Sequence, residues 1–170
     1  MRSAPSVRHW WAGKVRQFGR HVFGRVGAAE RRALEAWLSP AQLALFGRMH
    51  RADQRHGLDV VAALSSQGHN DPELLLAGLL HDCGKGRSVG LWHRVGWSLG
   101  ERYGARTRRL WSVLPGFRRA FDDLDQHAVR SAEMCLEAGC GARVAELVRN
   151  QAEPSDDLLG EALRLADEAS

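Results

Sequence analysis

Apolar residues recur along this chain at spacings of three and four, the period of helix faces turned toward a core. Leu34, Trp37 and Leu38 mark one such face over residues 28–38. Ser39 then offers an N-cap with Pro40 at the first helical position. That opens a second helix running to about Met49, which buries Leu43, Phe46 and Met49. A third helical stretch runs from His56 through Val60 to Leu64. Asp71-Pro72-Glu73 combines an acidic cap, a proline and a first-turn acid, and predicts a helix over 72–82. Gly84 is placed to end that helix in a left-handed conformation. Residues 88–120 carry spaced tryptophans and leucines broken by Pro115-Gly116, which predicts one or two helices and then a loop. A helical pair follows over 127–138 and 142–151, separated by Gly139 and Gly141. Ser155 is read as the cap of a last helix bearing Leu159, Leu163 and Ala166. Nowhere does a period of two or a β-branched run appear, so the expectation is all-α with about seven to nine helices.

The length of 170 residues suits one domain, residues 28–170, preceded by a basic arm over residues 1–27. The arm keeps Trp11, Val15, Phe18 and Val22 at helical spacing, but four glycines weaken it, and it reads as loosely helical. Charge sharpens this picture only locally. The formal net charge is +4, yet residues 1–29 hold six basic side chains and no acid, and residues 102–119 hold six arginines. Such stretches suit phosphates, nucleic acid or an anionic membrane surface, although solvated helix faces explain them as simply. Neither nucleic acid nor membrane is favoured as the partner. Three cysteines without a C-x-x-C exclude a disulfide framework and a zinc ribbon. With no apolar run of membrane-spanning length and no signal-peptide pattern, a reducing, cytoplasmic setting is expected. No P-loop, dinucleotide fingerprint or nucleophile elbow occurs.

The candidate chemistry begins at His81-Asp82. An apolar helix face through Leu74, Ala77 and Gly78 ends there in an imidazole and a carboxylate. A carboxylate sits poorly at the negative end of the helix dipole, and a bound cation would remove the conflict. Asp167 falls four residues after Leu163 and eight after Leu159, on the buried stripe of its helix. A buried carboxylate is costly unless paired or coordinated. His56, taken alone, reads equally well as a core histidine.

Taken together, His56, His81-Asp82 and Asp167 resemble the H…HD…D pattern of the HD-domain metal-dependent phosphohydrolase superfamily. The resemblance covers about residues 48–170. Its most specific part is AGLLHDCGKG, residues 77–86; Arg55-His56-Gly57-Leu58-Asp59-Val60 resembles the first-histidine helix, and residues 163–170 the closing one. What the resemblance implies is a helical bundle with one divalent ion (Mn, Fe, Co, Ni, Zn or Mg) held by His56, His81, Asp82 and Asp167. The implied activity is hydrolysis of a nucleotide or another small phosphate ester, with Asp82 and Lys85 as catalytic groups. Lys85, Arg87, His93, His127 and Gln151 would face the substrate. Members with two metals add histidines on intervening helices. His127 resembles the first of these, but Gln151 stands where the next is expected, and a glutamine is a poor transition-metal ligand. The pattern therefore implies a single metal. The incomplete histidine set leaves a non-catalytic metal- or nucleotide-binding regulatory domain as the alternative.

Overall fold

A computed structural model of the chain describes residues 25–86, 99, 103–155 and 158–170. The arm ahead of residue 25 lies outside the described residues. So do Arg87, His93, Trp92, Trp97, Asp156 and Asp157.

The described residues form an all-helical bundle of nine helices without a strand. They are α1 (Ala28–Trp37), α2 (Pro40–Arg48), α3 (Arg51–Ser66), α4 (Pro72–Leu80), α5 (Ala105–Ser112), α6 (Phe117–Asp125), α7 (His127–Glu137), α8 (Ala142–Arg149) and α9 (Leu159–Ala169). A 3-10 turn, Cys83–Lys85, follows α4.

Local chemistry sets most helix starts. Glu30 reaches back to the Gly27 amide at 2.8 Å to open α1. Ser39 and Gln42 form a reciprocal capping box on α2, at 3.3 and 3.0 Å. Asp71 accepts from the amides of Glu73 and Leu74 at 2.9 and 3.0 Å ahead of Pro72. The third helix starts earlier than its apolar spacing predicts, at Arg51 rather than His56. His50 is the reason: its Nδ1 accepts the Ala52 amide at 3.2 Å, so an imidazole takes the capping place of a hydroxyl or carboxylate.

Helix α4 is the centre of the bundle and packs against α3, α8 and α9. Its residues Leu74, Ala77, Gly78, Leu79 and Leu80 are all buried, and a helix apolar on every side must be surrounded. Each fully buried leucine contributes about 1.5–3 kcal/mol. The approach of α3 to α4 depends on Gly57, where a Cβ would lie 2.4 Å from the Leu79 carbonyl oxygen. That contact places His56, the preceding residue, beside the end of α4.

Several sequence expectations are corrected. Gly84 does not end α4 in a left-handed conformation; it lies inside the 3-10 turn, and the positive-φ residue is Gly86, which closes that turn with φ 74° and ψ 161°. Gly84 is required by packing, since a Cβ there would meet the Ser131 amide nitrogen at 2.5 Å and the His127 carbonyl oxygen at 2.6 Å. The loop expected near residue 120 is helix α6. Gly116 (φ 83°) turns the chain, and Phe117, Ala120, Phe121 and Leu124 make a second apolar cluster with Trp111. Within α2, Leu45 and Phe46 are buried while Leu43 is only partly so. Ser155 does not cap the last helix: its hydroxyl accepts from Asn150 at 3.0 Å, and α9 starts after Leu158 without a side-chain cap. The α7–α8 pair forms as expected, with Gly139 left-handed at φ 77°. Among the described residues no helix is long and apolar enough to cross a membrane.

Candidate metal centre

Five segments meet at the C-terminal end of α4. His81 and Asp82 follow α4 directly, His56 comes from the second turn of α3, and Asp167 from the last turns of α9. His127 opens α7, and Gln151 lies just past α8. Lys85 closes the 3-10 turn. Of the residues singled out from sequence, these seven are brought together, whereas Arg87 and His93 fall outside the described residues.

His81 is oriented from behind. Its Nδ1 donates to the Gly78 carbonyl at 2.9 Å, which turns Nε2 toward the centre. An imidazole fixed through one nitrogen so that the other points inward is the usual arrangement of a metal ligand. His81 and Asp82 are only 1% and 2% exposed as side chains, and neither His81 Nε2 nor Asp82 Oδ1 makes a hydrogen bond. Two buried polar atoms left this way cost about 1–3 kcal/mol each unless something else satisfies them.

The donor atoms converge. His81 Nε2 lies 3.4 Å from Asp82 Oδ1 and 3.4 Å from Asp167 Oδ1, and His56 Nε2 lies 2.7 Å from the same Asp167 oxygen. The two rings stand edge to face with centroids 5.1 Å apart. His56, His81 and Asp82 each offer a ligand atom, all within 4.8 Å of one another, and this buried group can hold a metal ion. Ligands about 2.0–2.2 Å from one ion sit roughly 3 Å apart, close to these separations. Asp167 is the open side of the group, with its side chain 41% exposed.

Electrostatics agree with the geometry. Burial alone would raise the Asp82 carboxyl, but the charges of His81 and Lys85 beside it hold it well below the carboxylate range. Burial likewise opposes ionisation of Asp167, and its hydrogen bond to His56 together with the charge of His81 overcomes it. Burial works against a charged His81, yet the two carboxylates raise it to about 9. The centre thus concentrates negative charge on ligand oxygens and draws a cation or proton between them.

Around the centre lie three further polar side chains, Lys85, His127 and Gln151. Lys85 Nζ contacts Asp82 Oδ2 at 2.5 Å, so one Asp82 oxygen faces the lysine and the other the histidines. His127 Nδ1 donates to the Leu124 carbonyl at 2.5 Å, and its Nε2 stands 3.7 Å from Asp82 Oδ1. Burial holds His127 below the ordinary imidazole value. The Gln151 amide nitrogen donates to the His81 carbonyl at 3.4 Å and to His127 Nε2 at 3.3 Å. Gln151 therefore ties two histidine-bearing segments together.

Two supporting residues escape the sequence reading. Ser131 Oγ accepts the Gly84 amide at 2.8 Å, and its carbonyl faces the Cys83 thiol at 3.6 Å, fastening α7 to the HD turn. Its position one helical turn after His127 is the signal available. Arg55 bridges Glu30 at 2.7 Å and Asp59 at 3.0 Å, anchoring α1 to the helix that carries His56.

A scan against protein-family models and searches of the curated proteins and of the solved structures returned no match to this chain.

Proposed function

We propose that this chain is a single-metal phosphohydrolase of the HD-domain type, acting on a nucleotide or another small phosphate ester. The observation that carries the proposal is the convergence of His56, His81, Asp82 and Asp167, with His81 Nε2 and Asp82 Oδ1 buried and without hydrogen bonds. These four residues would hold the ion. A divalent ion supplies Lewis-acid polarisation of a phosphoryl oxygen and lowers the pKa of water.

The chain's own side chains do the rest. Lys85, beside Asp82 and partly open to solvent, offers an ammonium to phosphate oxygens at the mouth of the site. His127 is kept neutral by burial and presents Nε2 near Asp82, so it accepts or relays a proton. Gln151 holds that nitrogen through its amide, which favours one metal over two.

The test is turnover of phosphomonoesters, nucleotides and cyclic nucleotides by metal-loaded protein. Turnover should vanish with a chelator and in His81→Ala. Metal-loaded protein that hydrolyses nothing across such a panel rules out the enzymatic reading. If it binds a nucleotide tightly without turnover, the domain is instead a regulatory module.

A further inference from the structure

Apart from the metal centre, the chain buries three free cysteines: Cys83, Cys135 and Cys140. They come from the HD turn, the end of α7 and the four-residue connection between α7 and α8. The Cys135 thiol interacts with those of both Cys140 and Cys83, so it lies in the middle of the group. Cys135 is fully buried, whereas Cys140 is 7% exposed. Cys140 sits between Gly139 and Gly141, both open to solvent. Cys140 is therefore flanked on the solvent side by two residues without side chains.

The backbone already holds one pair of these cysteines at cross-linking distance. Helix α7 ends in a Schellman turn. The Cys140 amide donates to the Cys135 carbonyl at 2.9 Å and the Gly139 amide to the Leu136 carbonyl at 3.0 Å, with Gly139 left-handed. A direct backbone hydrogen bond brings two Cα atoms into the range of about 4.4–6.8 Å that a disulfide requires. The same turn directs the side chains of its first and last residues toward each other.

The surroundings distinguish the two sulfurs. Gln42 Nε2, from α2, points at Cys140 Sγ from 3.7 Å. The neighbouring Cys135 thiol lowers the Cys140 value; burial opposes this, and the Gln42 amide adds to it. Cys135 is shifted the other way, first by Cys140, then by Cys83 and by burial. Cys140 is thus the sulfur nearer solvent and the one contacted by a polar side chain, with the fully buried Cys135 thiol beside it.

We propose that Cys140 and Cys135 form a peroxide-sensitive thiol pair, with Cys140 as the attacking sulfur and Cys135 as the resolving one. The Cys140 thiolate attacks the terminal oxygen of a hydroperoxide. The O–O bond breaks, the leaving oxygen takes a proton from water, and Cys140 becomes a sulfenic acid. Cys135 sulfur then attacks Cys140 sulfur, the S–O bond breaks, and the Cys135 proton leaves with the hydroxyl as water. Two thiols lose two electrons and the hydroperoxide is reduced to an alcohol and water.

The experiment treats the reduced full-length chain with a small excess of cumene hydroperoxide. Intact mass and peptide mapping after alkylation of the remaining thiols then read out the product. The expected product has lost two hydrogens, carries a Cys135–Cys140 link, leaves Cys83 alkylated, and returns to three thiols with a dithiol reductant. Cys140→Ser should slow thiol loss at Cys135 by about tenfold or more, whereas Cys83→Ser should leave the linkage unchanged. The linkage map needs no variant, so it stands even if a serine variant folds poorly. A Cys83–Cys135 link, a stable sulfinic acid at Cys140, or three intact thiols after treatment would each overturn the proposal.

Discussion

Gly84→Ala tests how the HD turn is held. A Cβ at this position would stand 2.5 Å from the Ser131 nitrogen and 2.6 Å from the His127 carbonyl oxygen, about 0.9 Å inside ordinary contact. Both atoms belong to the backbone of α7, so no rotamer change relieves the clash. The turn and α7 must separate, which also stretches the buried bond from the Gly84 amide to Ser131 Oγ. Overpacking of this kind costs about 1–3 kcal/mol, and a weakened buried hydrogen bond roughly 1 kcal/mol more. We expect a loss of about 2–4 kcal/mol, read as a lower urea midpoint at unchanged slope. Gly47→Ala is the control, because nothing lies within 4 Å of a Cβ there; it should gain about 0.5–1 kcal/mol. Gly84→Asn discriminates packing from conformation. If a left-handed backbone were the reason for glycine, Asn would be better tolerated than Ala; if packing is the reason, it is worse. A Gly84→Ala protein as stable as the parent, or an Asn variant more stable than the Ala variant, would refute the reasoning.

Other consequences follow from the same geometry. On the proposed reading, a bound metal must displace the proton that His81 holds up to about pH 9, so affinity should rise about tenfold per pH unit between pH 6 and 9 in competition titrations; a flat profile contradicts this. For the metal-free protein the sign is opposite. A folded-state value raised from 6.5 to about 9 gives stability that is present below pH 6.5 and lost as the pH climbs to 9, on the order of 1–3 kcal/mol by urea melts. Gln151→His places an imidazole where the glutamine amide now meets His127, and should raise bound metal from one ion toward two by elemental analysis. Lys85→Met should lower kcat by about 100-fold while metal affinity stays the same or rises, because a cation beside Asp82 is removed. Arg55→Ala breaks its partly exposed pair with Glu30 and should cost about 0.5–1 kcal/mol. Glu30 is held below its ordinary value first by that arginine, so the cost should fade as the pH falls below 4.5, the unfolded value.

The helices were legible wherever local chemistry defines them. Ser39-Pro40 and Asp71-Pro72 carry their start signals in adjacent side chains, and both helices begin there. The start of α3 was less legible, because a histidine cap at His50 is not among the preferred capping residues. Gly84 shows a different boundary. Its place after a helix suggests a conformational role, but its requirement comes from α7, more than forty residues away, and no local pattern reports that. Helix α6 was hidden by Pro115-Gly116 before it, although its stripe of Phe117, Ala120, Phe121 and Leu124 has helical spacing. At the site, the meeting of His56, His81 and Asp82 followed from a resemblance and is matched by the bundle's geometry. Gly78's carbonyl behind His81 and Ser131 behind Gly84 were not legible, since such support depends on tertiary placement.

The most direct measurement is an anomalous-difference map from crystals of the protein loaded with Mn or Zn. The account predicts one peak, about 2.0–2.3 Å from a ring nitrogen of each of His56 and His81 and from carboxylate oxygens of Asp82 and Asp167. Full metal loading with no peak between these four residues, or a peak held by other side chains, would contradict it.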